Sequence, residues 1–285
     1  MPPRRHRALE EILATDPVRD HQRIVHLSSA YEFPFDLTRS LEFALFRTFA
    51  VPSIAELLAS THEFTSRAQK RYDDTDLILS QIYEYGYDSE RGRAALRRMN
   101  RIHGRFEIGN DDFRYVLSTF VYEPPRWMAR FGWRAMVEPE RQAFFHFWRE
   151  VGRRMGIRQI PADYEAFETF NIEYERANFR YTEASRRVAE STRAMFLDWF
   201  LPRRLHRLGE PALHALMDER LLQAFGFPEP GERMRRLVSR ALRLRSRVVQ
   251  RLPERTTPRL RSRMRHRSYP GGYRTNELGP PPADP

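Results

Sequence analysis

The sequence contains no cysteine. That excludes disulfides, thiolate-ligated haem, iron–sulfur centres, Cys-type zinc sites and a cysteine nucleophile, since each needs sulfur as ligand or attacking atom. Any metal must be held by His, carboxylate, Tyr or Met. Long apolar runs are also missing: charges break every stretch before the ~18 residues that a spanning helix requires. Met1 to Arg7 is basic, but Glu10, Glu11, Asp16, Arg19 and Asp20 follow where a secretory signal would be apolar, so the expected location is cytoplasmic. No HExxH, GxGxxG, Walker A or GxSxG sequence occurs, and no two of the nine histidines stand four apart. A His-rich zinc site, a dinucleotide fold, a P-loop and a hydrolase elbow therefore lose their usual anchors. Lysine is nearly absent, Lys70 being the only one.

What is present is ample core material: 285 residues, 41% hydrophobic and 13% aromatic, which excludes disorder throughout. The net charge of +11 looks like a nucleic-acid signal until it is located. Gly231 to Ser268 carries 14 Arg against 2 Glu, whereas residues 1–230 balance to zero. Such a stretch, poor in aromatics, reads as a solvated segment or one in peripheral contact with an anionic membrane before it reads as a specific nucleic-acid reader.

Apolar residues recur at spacings of three and four, punctuated by Pro or Gly, and no alternating strand pattern is found. The expectation is an all-α bundle of roughly ten helices, over Leu37–Phe49, Ile54–Ser60, Arg71–Tyr85, Glu90–Arg105, Asp112–Tyr122, Glu138–Met155, Pro161–Tyr174, Thr182–Phe200, Pro211–Phe225 and Glu232–Arg251. Three regions follow: a loosely ordered 1–20, a helical catalytic body 21–250, and a basic, Pro-rich tail 251–285. The tail's composition predicts disorder, because it cannot bury enough apolar surface to offset ordering entropy.

Within the body, Leu96, Met99, His103 and Phe106 share one helical stripe, which puts the imidazole of His103 on the buried face. It is either a core histidine bonded to a neighbour or an axial ligand to haem iron. Arg71 and Thr75, four apart, open the stripe of Ile78 and Ile82, with Asp73 and Asp74 beside them. They read either as an exposed charged helix start or as a site in which Arg holds a carboxylate and Thr a polar ligand atom. The aromatics Trp127, Phe131, Trp133, Phe144, Phe145, Phe147 and Trp148 read as core or as the wall of an apolar cavity.

Taken in order, several segments resemble the catalytic domain shared by bacterial rubber oxygenases (latex-clearing proteins) and the fungal ER-bound oxygenase MpaB. They are Leu41-Glu42-Phe43-Ala44-Leu45-Phe46 with Val51-Pro52-Ser53-Ile54, Lys70-Arg71-Tyr72-Asp73-Asp74-Thr75, Arg98-Met99-Asn100-Arg101-Ile102-His103-Gly104, Glu123-Pro124-Pro125-Arg126-Trp127 and Phe147-Trp148-Arg149-Glu150-Val151-Gly152. The resemblance covers roughly residues 35 to 200 and lies nearest the MpaB-like branch. It implies a haem b oxygenase that uses O2 to cleave a carbon–carbon double bond in an isoprenoid or other lipid-like substrate, with His103 as the iron ligand. The Arg-x-x-Lys-Thr pattern of the rubber oxygenases is matched by Arg71 and Thr75, while Asp74 stands at the lysine position. By resemblance Arg71 becomes a propionate or pocket anchor, Thr75 a supporting hydrogen bond and Asp74 a candidate proton relay. Two rivals share parts of this reading: a non-catalytic haem-binding sensor or carrier, and a cofactor-free helical protein whose basic C-terminal region binds a membrane or nucleic acid.

Overall fold

The computed structural model describes residues 7–280, which are all-α. Fourteen α-helices follow in chain order: α1 (Arg7–Ala14), α2 (His21–Leu27), α3 (Pro34–Thr48), α4 (Pro52–Ser60), α5 (Glu63–Ser66), α6 (Ala68–Tyr85), α7 (Glu90–His103), α8 (Asn110–Phe131), α9 (Glu138–Arg154), α10 (Tyr164–Asn178), α11 (Glu183–Asp198), α12 (His206–His214), α13 (Glu219–Phe225) and α14 (Glu232–Arg251). Two apolar clusters hold them together. The larger joins α2, α3, α6, α8 and α9 around Phe144, Phe147, Trp148 and Leu77, and the smaller joins α11 and α13 to the end of α3 around Phe46, Phe196 and Phe225.

The hairpin of α6 and α7 positions the site. Antiparallel helices bring the first turns of one beside the last turns of the other, so Arg71 and Thr75 near the start of α6 meet His103 at the end of α7. The turn between them depends on two glycines. Gly86 ends α6 at φ 82°, a conformation that L side chains rarely adopt. A Cβ on Gly92 would lie 2.0 Å from the Gly86 carbonyl oxygen, so only glycine lets α7 pack this closely on the turn. Ser89 then caps α7, its hydroxyl accepting from the backbone N–H of Gly92 at 2.9 Å.

Three expectations are corrected. The helix expected over Asp112–Tyr122 does not stop before Pro124-Pro125 but continues through them to Phe131. The second half is held in place by packing, with Trp127 on Phe43 (ring centroids 5.5 Å) and on Phe131 (5.0 Å), and its indole N–H donates to Asp36 at 3.2 Å; these contacts outweigh the lost backbone bonds. The segment at 1–20 is helical over Arg7–Ala14, and Ile12 is fully buried, because one apolar side chain per turn suffices to dock a short helix. Residues 1–6 lie outside the described residues.

Nor does the tail lie free over 252–280. Leu278 is fully buried, Arg98 donates to its carbonyl at 2.6 Å, and Ser262 and Arg261 bond Glu84 and Asp76 of α6. Composition predicted disorder because the segment has little apolar surface. What fixes it instead is an acidic face of α6, where Asp73, Asp74, Asp76 and Glu84 receive Ser268, Tyr269, Arg261, His266 and Ser262. Residues 281–285 lie outside the described residues.

Candidate functional site

A cavity of about 830 Å³ lies where the two apolar clusters meet. Its walls are mostly apolar, from Phe46 and Phe49 on one side to Phe120, Trp148 and Ile157 on the other, with Met195 and Phe196 of α11 between. That volume sits within the range of small-molecule sites, which are apolar with a few convergent polar groups. Here those groups include His103, Arg71 and Thr75, all three lining the cavity.

Among the histidines of the described residues, His103 alone borders this space. Its ring packs edge-on against Phe113 at 5.3 Å, and Nδ1 is buried without a hydrogen-bond partner. The neighbour that a core histidine would need is therefore absent. Burial, reinforced by the Arg71 charge, pushes the imidazole down to about 4. At neutral pH His103 is uncharged, the form whose lone pair can bind a metal.

Arg71 is enclosed by protein except where it meets the cavity. Its guanidinium donates to the Thr75 hydroxyl and lies over the Phe64 ring at 5.5 Å. Among the described residues it forms no ion pair with a carboxylate, and burial pulls its pKa below the ordinary arginine value against the attraction of Asp74 and Glu63. A buried guanidinium without a carboxylate partner is costly, and an anion entering the cavity would relieve that cost. Thr75 also donates to the Arg71 carbonyl at 3.0 Å, so the pair is held within its own helical turn.

The sequence reading missed two polar groups of the same cavity. Glu42 and Tyr72 line it together, the phenol donating to the carboxylate at 2.5 Å while Arg39 approaches the same oxygen at 2.7 Å. Burial pushes the Glu42 carboxyl up to about 7 despite these partners. The available signal was a glutamate set inside the apolar run Leu41 to Phe46; a charge on a buried helix face is rarely without a role.

Asp74 departs from its expected place. It is neither on the cavity nor at an exposed helix start, being 2% exposed and bonded to Lys70 Nζ at 2.8 Å and to the Tyr269 hydroxyl. Arg71 and Asp74 are three residues apart, and the helix turns Asp74 toward the strap of residues 252–280. Of the aromatic cluster, Trp148 alone among the residues named above reaches the cavity; the others are core or lie at its edge.

No group of three or more metal-ligating side chains occurs among the described residues. A lone neutral imidazole beside an unpaired guanidinium fits a different kind of guest, a planar metallo-cofactor that brings its own equatorial ligands and anionic side groups. Nδ1 without a partner and Arg71 without a carboxylate are the two features that such a group would satisfy.

The family model for the catalytic domain of "ER-bound oxygenase mpaB/B'/Rubber oxygenase" matches residues 42–248, a span that includes every cavity-lining polar group described above and extends beyond the expected 35–200 as far as α14. The ER-bound oxygenase mpaB of Penicillium roqueforti (strain FM164) is 29% identical over 216 residues, covering 70% of this chain and 72% of that one. The ER-bound oxygenase mpaB' of Penicillium brevicompactum is 30% identical over 220 residues, or 70% of this chain and 52% of the relative. The mpaB of the same species is 33% identical over 132 residues, 44% and 34% of the two chains.

Proposed function

The chain belongs to the catalytic-domain family of the ER-bound oxygenases mpaB and mpaB' and of rubber oxygenase, and is thus an oxygenase; from that premise we propose that it works with haem b and cleaves a carbon–carbon double bond in an isoprenoid or similar lipid-like substrate. The observation carrying this reading is the pairing, in one apolar cavity, of a neutral His103 whose buried Nδ1 has no hydrogen-bond partner and an Arg71 that has no carboxylate partner among the described residues. When bound, haem b would supply the iron at which O2 reacts.

The chain's own residues have separate tasks. His103 would hold the iron through a ring nitrogen, and its depressed basicity keeps that nitrogen free of a proton at neutral pH. Arg71 would pair with a propionate, and Thr75 fixes the guanidinium from within its own turn. Phe46, Phe49, Met195 and Phe196 provide the apolar wall against which a hydrocarbon chain can lie, excluding water from the reacting bond. Glu42, with a carboxyl near 7 and Tyr72 on its oxygen, can hold or release a proton at the cavity wall. In the overall reaction one C=C bond and the O–O bond break and two C=O bonds form, so atoms balance with one O2 per double bond.

The reading is tested by supplying the haem-loaded protein with an oligo-isoprenoid and measuring O2 uptake together with carbonyl products by mass spectrometry. Matched uptake and carbonyl formation are expected. O2-independent binding of the lipid without any carbonyl product would contradict the proposal.

A further inference from the structure

α14 presents two different faces. Its inner face is anchored: Leu242 packs on the larger core cluster, the Ser246 hydroxyl donates to the Phe131 carbonyl, and Arg245 pairs with Asp36 at 2.8 Å over the Phe35 ring. Its outer face is apolar yet uncovered. Leu237, Leu244 and Val248 are 61%, 62% and 51% exposed, and with exposed Ala241 they recur at the i, i+4, i+7, i+11 spacing of a single ridge.

Beside that ridge runs a second one. Arg233, Arg236, Arg240, Arg243, Arg247 and Arg251 are all exposed, and Glu232 in the first turn is the helix's only carboxylate. At about 100° per residue the four apolar positions fall within an arc of about 60°, and the six arginines fall within the adjoining arc of about 80°. The helix of 20 residues is about 30 Å long at 1.5 Å per residue.

We propose that this outward face of α14 docks the protein on an anionic lipid bilayer. The Leu–Val ridge enters the boundary between headgroups and acyl chains, and the arginine row pairs with lipid phosphates. The charge complementarity is one-sided, six cations against one carboxylate at the end of the helix, and it matches a surface that is both anionic and, just beneath, apolar. A nucleic acid would use the arginines and leave the apolar ridge in water, so it accounts for half of the pattern. No single helix of the described residues is long and apolar enough to cross a membrane, and α14 is built to lie along one. The proposal concerns the helix surface and is independent of the cavity's chemistry.

The test is sedimentation of the full-length chain with phosphatidylcholine vesicles, with and without about one-third phosphatidylglycerol, at low and high salt. Two triple variants accompany it, Leu237→Ser/Leu244→Ser/Val248→Ser and Arg240→Gln/Arg243→Gln/Arg247→Gln. All six side chains face solvent, and circular dichroism checks the fold; Leu244→Ser alone replaces the first variant should it unfold. Binding is expected to be at least about tenfold tighter on the anionic vesicles, with each triple variant weakening it by about tenfold or more and salt reducing only the arginine part. Equal binding by the serine variant, no binding to anionic vesicles, or preferential binding to duplex DNA that the serine variant retains would each overturn the proposal.

Discussion

Arg71 and His103 reach the same cavity from the two arms of the α6–α7 hairpin, and the charge of the guanidinium helps burial keep the imidazole neutral. The arrangement has consequences for stability as well as for binding. Each residue lacks the partner that a purely structural role would have given it.

The first consequence is a pH dependence in the haem-free protein. The imidazole of His103 falls from its ordinary 6.5 to about 4 on folding, so the unfolded chain binds the extra proton first. Its contribution to stability is complete above pH ~6.5, is lost as pH falls toward ~4, and amounts to roughly 3 kcal/mol. Glu42 and Glu84, pushed up to about 7, act in the opposite direction over part of that range, so the comparison must be between the wild type and His103→Gln. Urea denaturation at several pH values should show the variant gaining on the wild type as the solution is acidified. A difference that is flat with pH would mean that His103 titrates normally.

Arg71→Met should leave the haem-free protein as stable as before or raise its stability by about 1 kcal/mol, because a buried charge without a carboxylate partner is removed. The same change should move the His103 titration upward, though short of the ordinary value since burial remains the larger cause. Affinity for haemin should fall about tenfold or more with the loss of a charge-assisted bond. Thermal melts, an NMR titration of the imidazole and a haemin titration measure the three effects.

Asp74 is predicted to matter to the strap and not to the cavity. Asp74→Asn weakens the bonds from Lys70 and Tyr269 and should cost about 1 to 3 kcal/mol while leaving the cofactor's absorption spectrum unchanged. Hydrogen exchange over residues 268–280 should quicken. A spectral change with a protected strap would return Asp74 to the cavity.

Removing residues 252–285 is expected to be more severe. It strips Asp76 and Glu84 of their side-chain partners, leaves Asp73 and Asp74 only Gln69 and Lys70 of their own helix, and takes away Leu278 and the cavity contact of Pro280. Isolated buried carboxylates are costly, so the truncated chain should lose more than about 3 kcal/mol in urea unfolding.

Much of this was legible in the residues. The helix ends expected at Tyr85 and Glu90 and the range Glu232–Arg251 are those of α6, α7 and α14, and the stripe Leu96, Met99, His103 foretells an inward imidazole. What sequence could not supply was long-range pairing. Pro124-Pro125 reads locally as a stop, and only the packing of Trp127 and Phe131 within the next two turns carries the helix through. The tail's Arg, Tyr and Ser residues read as solvated because their acidic partners lie about 180 to 195 positions away on α6. The linear pattern places Asp74 in the site beside Thr75, whereas adjacent positions on a helix point about 100° apart, so that Thr75 lines the cavity while Asp74 meets Lys70 and Tyr269. Glu42 was overlooked because its role depends on Tyr72 and Arg39 meeting it in space.

The central proposal is that His103 would hold the iron of haem b, and an absorption titration tests it most directly. Haemin is added to the full-length wild type and to His103→Ala, with circular dichroism to confirm that both are folded. The account predicts a saturable Soret band with one haem per chain for the wild type, and for the variant loss of that band or a shift to the spectrum of weakly held haemin, reversed in part by adding imidazole. A wild type that forms no Soret complex, or a variant that binds haem with an identical spectrum, would contradict it.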